Sequence, residues 1–310
     1  MREETWLEYD AIIVGGSFAG LSAAMQLARA RRRVLLIDAG RPRNRFAEAS
    51  HGFLGQDGMA PARIMREGLR QLSAYPSVDF FHGEALAAAT GDGGFRLGLR
   101  ESEDVTSRRL ILATGVMDTL PLPSMEARWG VSVLHCPYCH GYEVRDRPIA
   151  AIANHAAAVH QAMILPDWGP TTYFTQGVFE PSEAEAALLT ARGVRIERTP
   201  VTELLGEAPA TRAVRLADGR TLPVSAVFTS PITRIASPLA DQLGCAFADG
   251  MTGAHILVDT MQQTTVAGLF AAGDAAQPMH NATLASAAGV MAGVAAHRSL
   301  VLEDASGVRP

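Results

Sequence analysis

Cysteine is scarce in this 310-residue chain. There are three, too few for the disulfide framework that holds small secreted domains together. A surplus of charge of either sign is also missing. The net charge is −5, the isoelectric point is about 6.0, and the arginines are scattered apart from Arg31–Arg33, which reads as a solvated helix end. Binding to nucleic acid or to an anionic membrane surface is therefore not expected. The N-terminus, MREETWLEYD, lacks the basic stretch followed by an apolar one that marks a secretory signal. The most apolar long segment, Ala282–Ala296, is short for a membrane span and rich in alanine and glycine, so it reads as a buried helix. No low-complexity linker divides the chain. What remains is the expectation of a globular, cytoplasmic protein, 48% hydrophobic and 19% charged, with a length that suits two domains.

Tyr9–Val14 is a short apolar run ending in glycines. A helical pattern over Ala19–Ala30 follows, then a second apolar run, Val34–Ile37, that ends at Asp38. This periodicity predicts a β-α-β unit at the N-terminus. Pro61–Tyr75 reads as a helix entered through proline. Val78–Phe81 and Arg109–Leu112 read as strands, with hairpin-like material around Gly91-Asp92-Gly93-Gly94 between them. A second β-α-β pattern starts at Pro148: strand Ile149–Ala153, helix His155–Leu165, strand Thr171–Phe174, helix Glu183–Arg192, then a hairpin signal at Asp218-Gly219. A strand at Gly268–Ala271 and a long small-residue helix from about Asn281 to Leu302 close the chain. Two such units about 140 residues apart predict an α/β protein of two Rossmann-like, three-layer nucleotide-binding domains. The second is inserted into the first, so residues 1–117 and 246–310 flank 118–245.

Gly15-Gly16-Ser17-Phe18-Ala19-Gly20 lies between a strand and a helix, where a dinucleotide fingerprint belongs. Gly15 permits the tight turn, and the small Ser17 lets a pyrophosphate approach the backbone. Ala19 and Gly20 allow close helix packing, and the helix N-terminus offers N–H groups to the phosphates. Asp38, 18 residues after Gly20, is placed to accept hydrogen bonds from a ribose. Two further signals follow in order: Ala113-Thr114-Gly115 at a strand end, and Gly273-Asp274 where a strand delivers the chain to the last helix.

His135-Cys136-Pro137-Tyr138-Cys139-His140-Gly141-Tyr142-Glu143 carries the chemistry. Two thiols spaced C-x-x-C can form a small-ring disulfide, and a helix N-terminus or a neighbouring histidine lowers a thiol pKa. Half of a zinc site is the rival, because His135 and His140 flank the pair. Each histidine adjoins a cysteine in sequence, however, which leaves poor geometry for four ligands, so no metal is expected. Cys245 reads as a buried small hydrophobe.

Taken together, these motifs resemble the low-molecular-weight thioredoxin reductase family over about 300 residues. The segment Cys-Pro-Tyr-Cys-His-Gly-Tyr-Glu is more similar to its gliotoxin- and holomycin-type dithiol oxidase branch. The resemblance implies FAD held by Gly15, Ser17, Ala19, Gly20, Asp38, Ala113, Thr114, Gly115, Gly273 and Asp274. It implies that Cys139 faces the flavin while Cys136 exchanges with the substrate sulfur, and it implies a homodimer. Ordinary members carry an aspartate after the second cysteine; here the place holds His140, a candidate acid–base beside a plain structural role. The second nucleotide loop departs from the family. Ile152-Ala153-Asn154-His155-Ala156-Ala157-Ala158 has Ala153 where the tight-turn glycine belongs and His155 where the pyrophosphate needs room. Phe174-Thr175-Gln176-Gly177 offers neither an acid for a ribose nor an arginine cluster for a 2′-phosphate. NADPH is therefore expected to fit poorly, unless His155 swings aside. Three functions stay open: reduction of a thioredoxin-like protein disulfide by NADPH or a substitute such as ferredoxin, oxidation of a small-molecule dithiol with oxygen as acceptor, or a non-catalytic flavin scaffold.

Overall fold

A computed structural model describes residues 8–91 and 93–307. Met1–Leu7, which include most of the N-terminal stretch examined for a signal, and Asp92 of the Gly91–Gly94 turn lie outside the described residues. The chain divides into two compact units. One takes the described residues up to Arg45, then Ala62–Met117, then everything from Arg234; the other takes Phe46–Pro61 and Asp118–Thr233.

The first unit is built on a seven-stranded sheet. Tyr9–Val14 lies between Val34–Asp38 and Val105–Leu112, parallel to both, and Val78–His82 extends the sheet beyond Val34–Asp38. Ala11, Ile12, Ile13 and Ile37 are all buried, because a central parallel strand is covered on both faces. Val105–Leu112 pairs with Gly94–Leu99 along its first half and with Leu269–Ala271 along its second. Ala85–Gly91 completes an antiparallel hairpin with Gly94–Leu99.

Two helices, Phe18–Arg29 and Ala282–Ser306, pack together through small residues. A Cβ on Gly289 would stand 2.0 Å from the Ala19 carbonyl oxygen, and one on Gly293 2.6 Å from that of Ala23. This close approach is why the last helix is so rich in alanine and glycine. It is long and apolar enough to cross a membrane. Ala285, Ala288, Ala292, Ala296 and Leu300, spaced three or four apart, form its buried stripe. Near its end the buried Glu303 receives Arg109 at 2.6 Å and Arg108 at 2.8 Å. Removing one partner of such a buried pair costs about 3–5 kcal/mol, since a lone charge is left behind.

The second unit holds a parallel five-stranded sheet in the order Arg195–Glu197, Thr171–Phe174, Ile149–Ile152, Ala226–Phe228, Val133–Leu134. A separate antiparallel sheet contains the hairpin at Asp218-Gly219, between Ala213–Leu216 and Thr221–Pro223. Glu183–Ala191 starts with a reciprocal cap in which Ser182 and Glu185 exchange hydrogen bonds.

Three differences from the sequence-based picture have physical causes. The insertion ends at Thr233 rather than at 245, because Leu239, Ala240, Leu243 and Cys245 are core residues of the first unit. Phe46–Pro61 joins the second unit, where Phe46 lies against Gly130 and Gly52 lies near the Tyr138 backbone. The helix expected over His155–Leu165 is shorter, Ala158–Ile164, with Leu165–Asp167 continuing as a 3-10 turn. Its N-cap position is Ala157, which has no side-chain acceptor, so residues 153–157 stay in turns.

Candidate active site

In the first unit, Gly15 turns the chain with φ +110°, and any Cβ there would lie 2.1 Å from the Ala113 carbonyl oxygen. Gly16 donates its N–H to Asp38 Oδ1 at 3.2 Å, so the carboxylate that ends the second strand also braces the loop. A Cβ on Gly20 would meet the Gly15 carbonyl at 1.7 Å, so the helix can sit this close to the turn only with glycine there. Ser17 occupies the N-cap in extended backbone, and its side chain makes no capping bond. The first turn of the helix therefore keeps N–H groups that no side chain takes up.

Thr114 and Gly115 follow the strand Val105–Leu112. The Thr114 hydroxyl is buried without a hydrogen-bond partner, and Gly115 has φ +67°. An orphaned buried hydroxyl beside the open space at Gly115 fits a large polar cofactor held against the backbone. Gly273, at φ +74°, opens the 3-10 turn that carries Asp274. Asp274 pairs with Arg43 at 3.2 Å, both mostly buried. Arg43 lies in a short turn with no motif around it, so sequence reasoning missed it. Ala19 is buried, with its Cβ against Gly273 and its carbonyl under Gly289.

In the second unit Cys136 and Cys139 form a disulfide with a Cα–Cα distance of 5.3 Å. Cys136 is the N-cap of the single-turn helix Pro137–His140, and the Cys139 N–H donates to its sulfur at 3.2 Å. Pro137 suits the first helical position, where its missing N–H costs nothing. Gly141 must be glycine. A Cβ there would come within 2.6 Å of the Pro137 carbonyl and 2.7 Å of the Trp168 ring. Trp168 packs edge-on against Tyr138, whose ring is 75% exposed between the two cysteines. His135 stacks near Trp129, and its carbonyl accepts from Gln161 at 2.6 Å. The described residues contain no cluster of His, Cys, Asp or Glu arranged around a metal ion.

His140 ends the redox turn. Burial pushes its imidazole below the ordinary histidine range, Glu143 works against that shift, and His51 adds to it. The ring is thus biased toward its neutral, proton-accepting form near pH 7. His51 was not singled out from sequence, and Glu143 was noted only as the end of the redox motif. Cys245 is a buried thiol in the first unit, its pKa raised by burial, as befits an inert core residue.

The second nucleotide-type loop looks different from the first. Ala153 is buried at the strand end, and Asn154 Oδ1 and His155 Nε2 are buried without partners. Burial also lowers the His155 pKa. At the end of Thr171–Phe174, Thr175 donates to Glu180 at 3.0 Å, and Gln176 clamps the backbone of Val201 with two hydrogen bonds. An arginine does reach this place, Arg198, but it is paired with Glu180 at 3.0 Å.

Residues 9–291 match the family model for pyridine nucleotide-disulphide oxidoreductases. The chain belongs to that family. Among curated relatives of this oxidoreductase, thioredoxin reductase tcpT of Claviceps purpurea is 31% identical over 306 residues, covering 95% of each chain. Thioredoxin reductase sirT of Leptosphaeria maculans is 29% identical over 308 residues, covering 92% of each. A solved oxidoreductase from Agrobacterium tumefaciens superposes with a TM-score of 0.91 at 48% identity, over 96% of this chain and 99% of that one. The oxidoreductase is thus a thioredoxin reductase-like enzyme that depends on FAD and acts on thiols and disulfides.

Proposed function

We propose that the enzyme draws electrons from a dithiol substrate through Cys136–Cys139, and that pyridine nucleotides serve it poorly. The observation that carries this reading is the second loop. Ala153 and His155 stand where a nucleotide needs two glycines, and Arg198 is already engaged in a surface ion pair with Glu180. FAD, when bound, supplies the two-electron store to which the cysteine pair is coupled, with oxygen as the final acceptor. Gly15, Gly16, Ser17, Asp38, Thr114 and Asp274 are the residues that would hold it.

The thiol chemistry belongs to this chain's own groups. His140 takes the proton of a substrate thiol, and the resulting thiolate attacks Cys136 Sγ. The Cys136–Cys139 bond breaks, its electron pair leaving on Cys139 Sγ. A second substrate thiolate then displaces Cys136, and the substrate departs as a disulfide. By the family resemblance, Cys139 would be the sulfur that passes electrons to FAD. The sequence Cys-Pro-Tyr-Cys-His supports the gliotoxin- and holomycin-type branch, where a small-molecule dithiol is the substrate. The relatives' name, thioredoxin reductase, supports a second reading with a thioredoxin-like protein partner.

Cys139→Ser tests the relay. Flavin reduction by dithiothreitol should fall at least about a hundredfold, while FAD content stays the same. Bleaching at the wild-type rate would remove Cys139 from the path. The same proposal places the enzyme in the cytoplasm as a homodimer. Val290, Met291, Val294, Val301 and Leu302 lie exposed along the last helix, an apolar stripe suited to a second copy.

A further inference from the structure

Phe46–Pro61 folds back on itself in the second unit. Ser50 and Met59 form a bridge, the Gly58 N–H donates to the Ser50 carbonyl at 2.8 Å, and the Gly52 N–H donates to Asp57 Oδ1 at 2.9 Å. This closed loop fixes His51 between two carboxylates. Its Nδ1 lies 3.6 Å from Asp57 Oδ1, and its Nε2 lies 3.6 Å from Glu143 Oε1. Glu143 sits in the 3-10 turn Tyr142–Val144, directly after the helix that carries Cys139 and His140. The His51 side chain is only 23% exposed, Glu143 is 39% exposed and Asp57 71%, so His51 is the most sheltered of the three.

We propose that His51 is a positioning residue for the thiol chemistry: held between Asp57 and Glu143 in the loop that faces the redox turn, it sets the charge that surrounds His140. The inference rests on His140 acting as the base. When a substrate S–H bond breaks, its proton goes to the imidazole and the electron pair stays on sulfur for the attack on Cys136. That imidazolium must lose its proton before the second thiol can react. The charged groups that act on His140 are Glu143, from the turn after its own helix, and His51, from the facing loop. They act with opposite sign. Asp57 lies beyond His51 and is the most exposed of the set.

The opposite signs give the test. The FAD-loaded, disulfide-bonded enzyme is labelled at histidine carbons, and ring titrations are followed by NMR, His140→Asn identifying the resonance. His51→Gln should move the His140 midpoint up, and Glu143→Gln should move it down, each by roughly half a unit to one unit for a nearby charge partly screened by water. The pH at which anaerobic reduction by dithiothreitol reaches half its maximum should follow in the same directions. An unmoved midpoint in His51→Gln, or shifts of the same sign in both variants, would overturn the inference. Should His51→Gln fail to fold, the downward shift in Glu143→Gln is required by itself, and its absence counts against the inference. If His140→Asn reacts at the wild-type rate, the reading of His140 as base has failed and takes this one with it. If His140→Asn is slow and His51→Gln shifts nothing, only the role of His51 is lost.

Discussion

The two loops that leave the first strand of each β-α-β unit, Gly15–Gly20 and Ala153–Ala158, occupy the same place in that pattern and differ in chemistry. In the first, glycines stand wherever a Cβ would strike backbone, Ser17 leaves the helix start uncapped, and the nearby Thr114 hydroxyl awaits a partner. In the second, alanine and histidine fill the turn, the helix starts only at Ala158, and Thr175 and Gln176 are tied up in internal bonds, although Asn154 Oδ1 and His155 Nε2 are also buried without partners. A Rossmann sheet therefore persists as architecture after its nucleotide loop has changed. Function resides in a few positions at the strand ends and cannot be read from the fold alone.

Breaking the intact loop should have the largest effect. Gly15→Val places side-chain carbon 2.1 Å from the Ala113 carbonyl in a left-handed conformation, which a β-branched residue rarely adopts. Purified protein should lose its FAD absorbance, the strain alone costing about 1–3 kcal/mol. Full FAD occupancy in that variant would show that the cradle is not where the cofactor sits. Repairing the degenerate loop sharpens the comparison from the other side. Ala153→Gly combined with His155→Gly should strengthen NADPH binding roughly ten- to a hundredfold, about 1.4–2.8 kcal/mol, by titration calorimetry. No gain would mean that the loss of nucleotide binding lies elsewhere, with the Arg198–Glu180 pair as the next place to look.

The smallest effect concerns pH. Burial lowers the pKa of both His140 and His155 in the folded state, so the unfolded chain binds more protons as the solution is acidified. Their contribution to stability is present above the unfolded value of about 6.5 and is lost as pH falls below it. The melting temperature should decline from pH 7 to pH 5, and His155→Asn should flatten that decline. An unchanged slope would show that His155 titrates as it does in the unfolded chain.

The sequence was legible where a short stretch must satisfy a steric rule. Gly15, Gly20 and the Cys136–Cys139 turn announce themselves because their constraints are local. The β-α-β units were legible for a related reason, since strands covered on both faces read as unbroken apolar runs. What stayed hidden depends on partners distant in the chain. Arg43 meets Asp274 across 231 residues, and His51 meets Glu143 across 92, with no motif to link either pair. The boundary at Thr233 was hidden because Leu239–Gln242 is a single helical turn whose packing partners lie in the first unit. Its periodicity is too short to show which core it serves.

The central claim is that electrons reach the flavin from a dithiol and not readily from a pyridine nucleotide. The most direct measurement mixes the FAD-loaded enzyme anaerobically with NADPH, NADH or dithiothreitol and follows the flavin absorbance. Dithiothreitol should bleach it, and either nucleotide at the same concentration should do so far more slowly. Rapid, stoichiometric bleaching by micromolar NADPH would show that the second loop still binds nucleotide and would contradict the account.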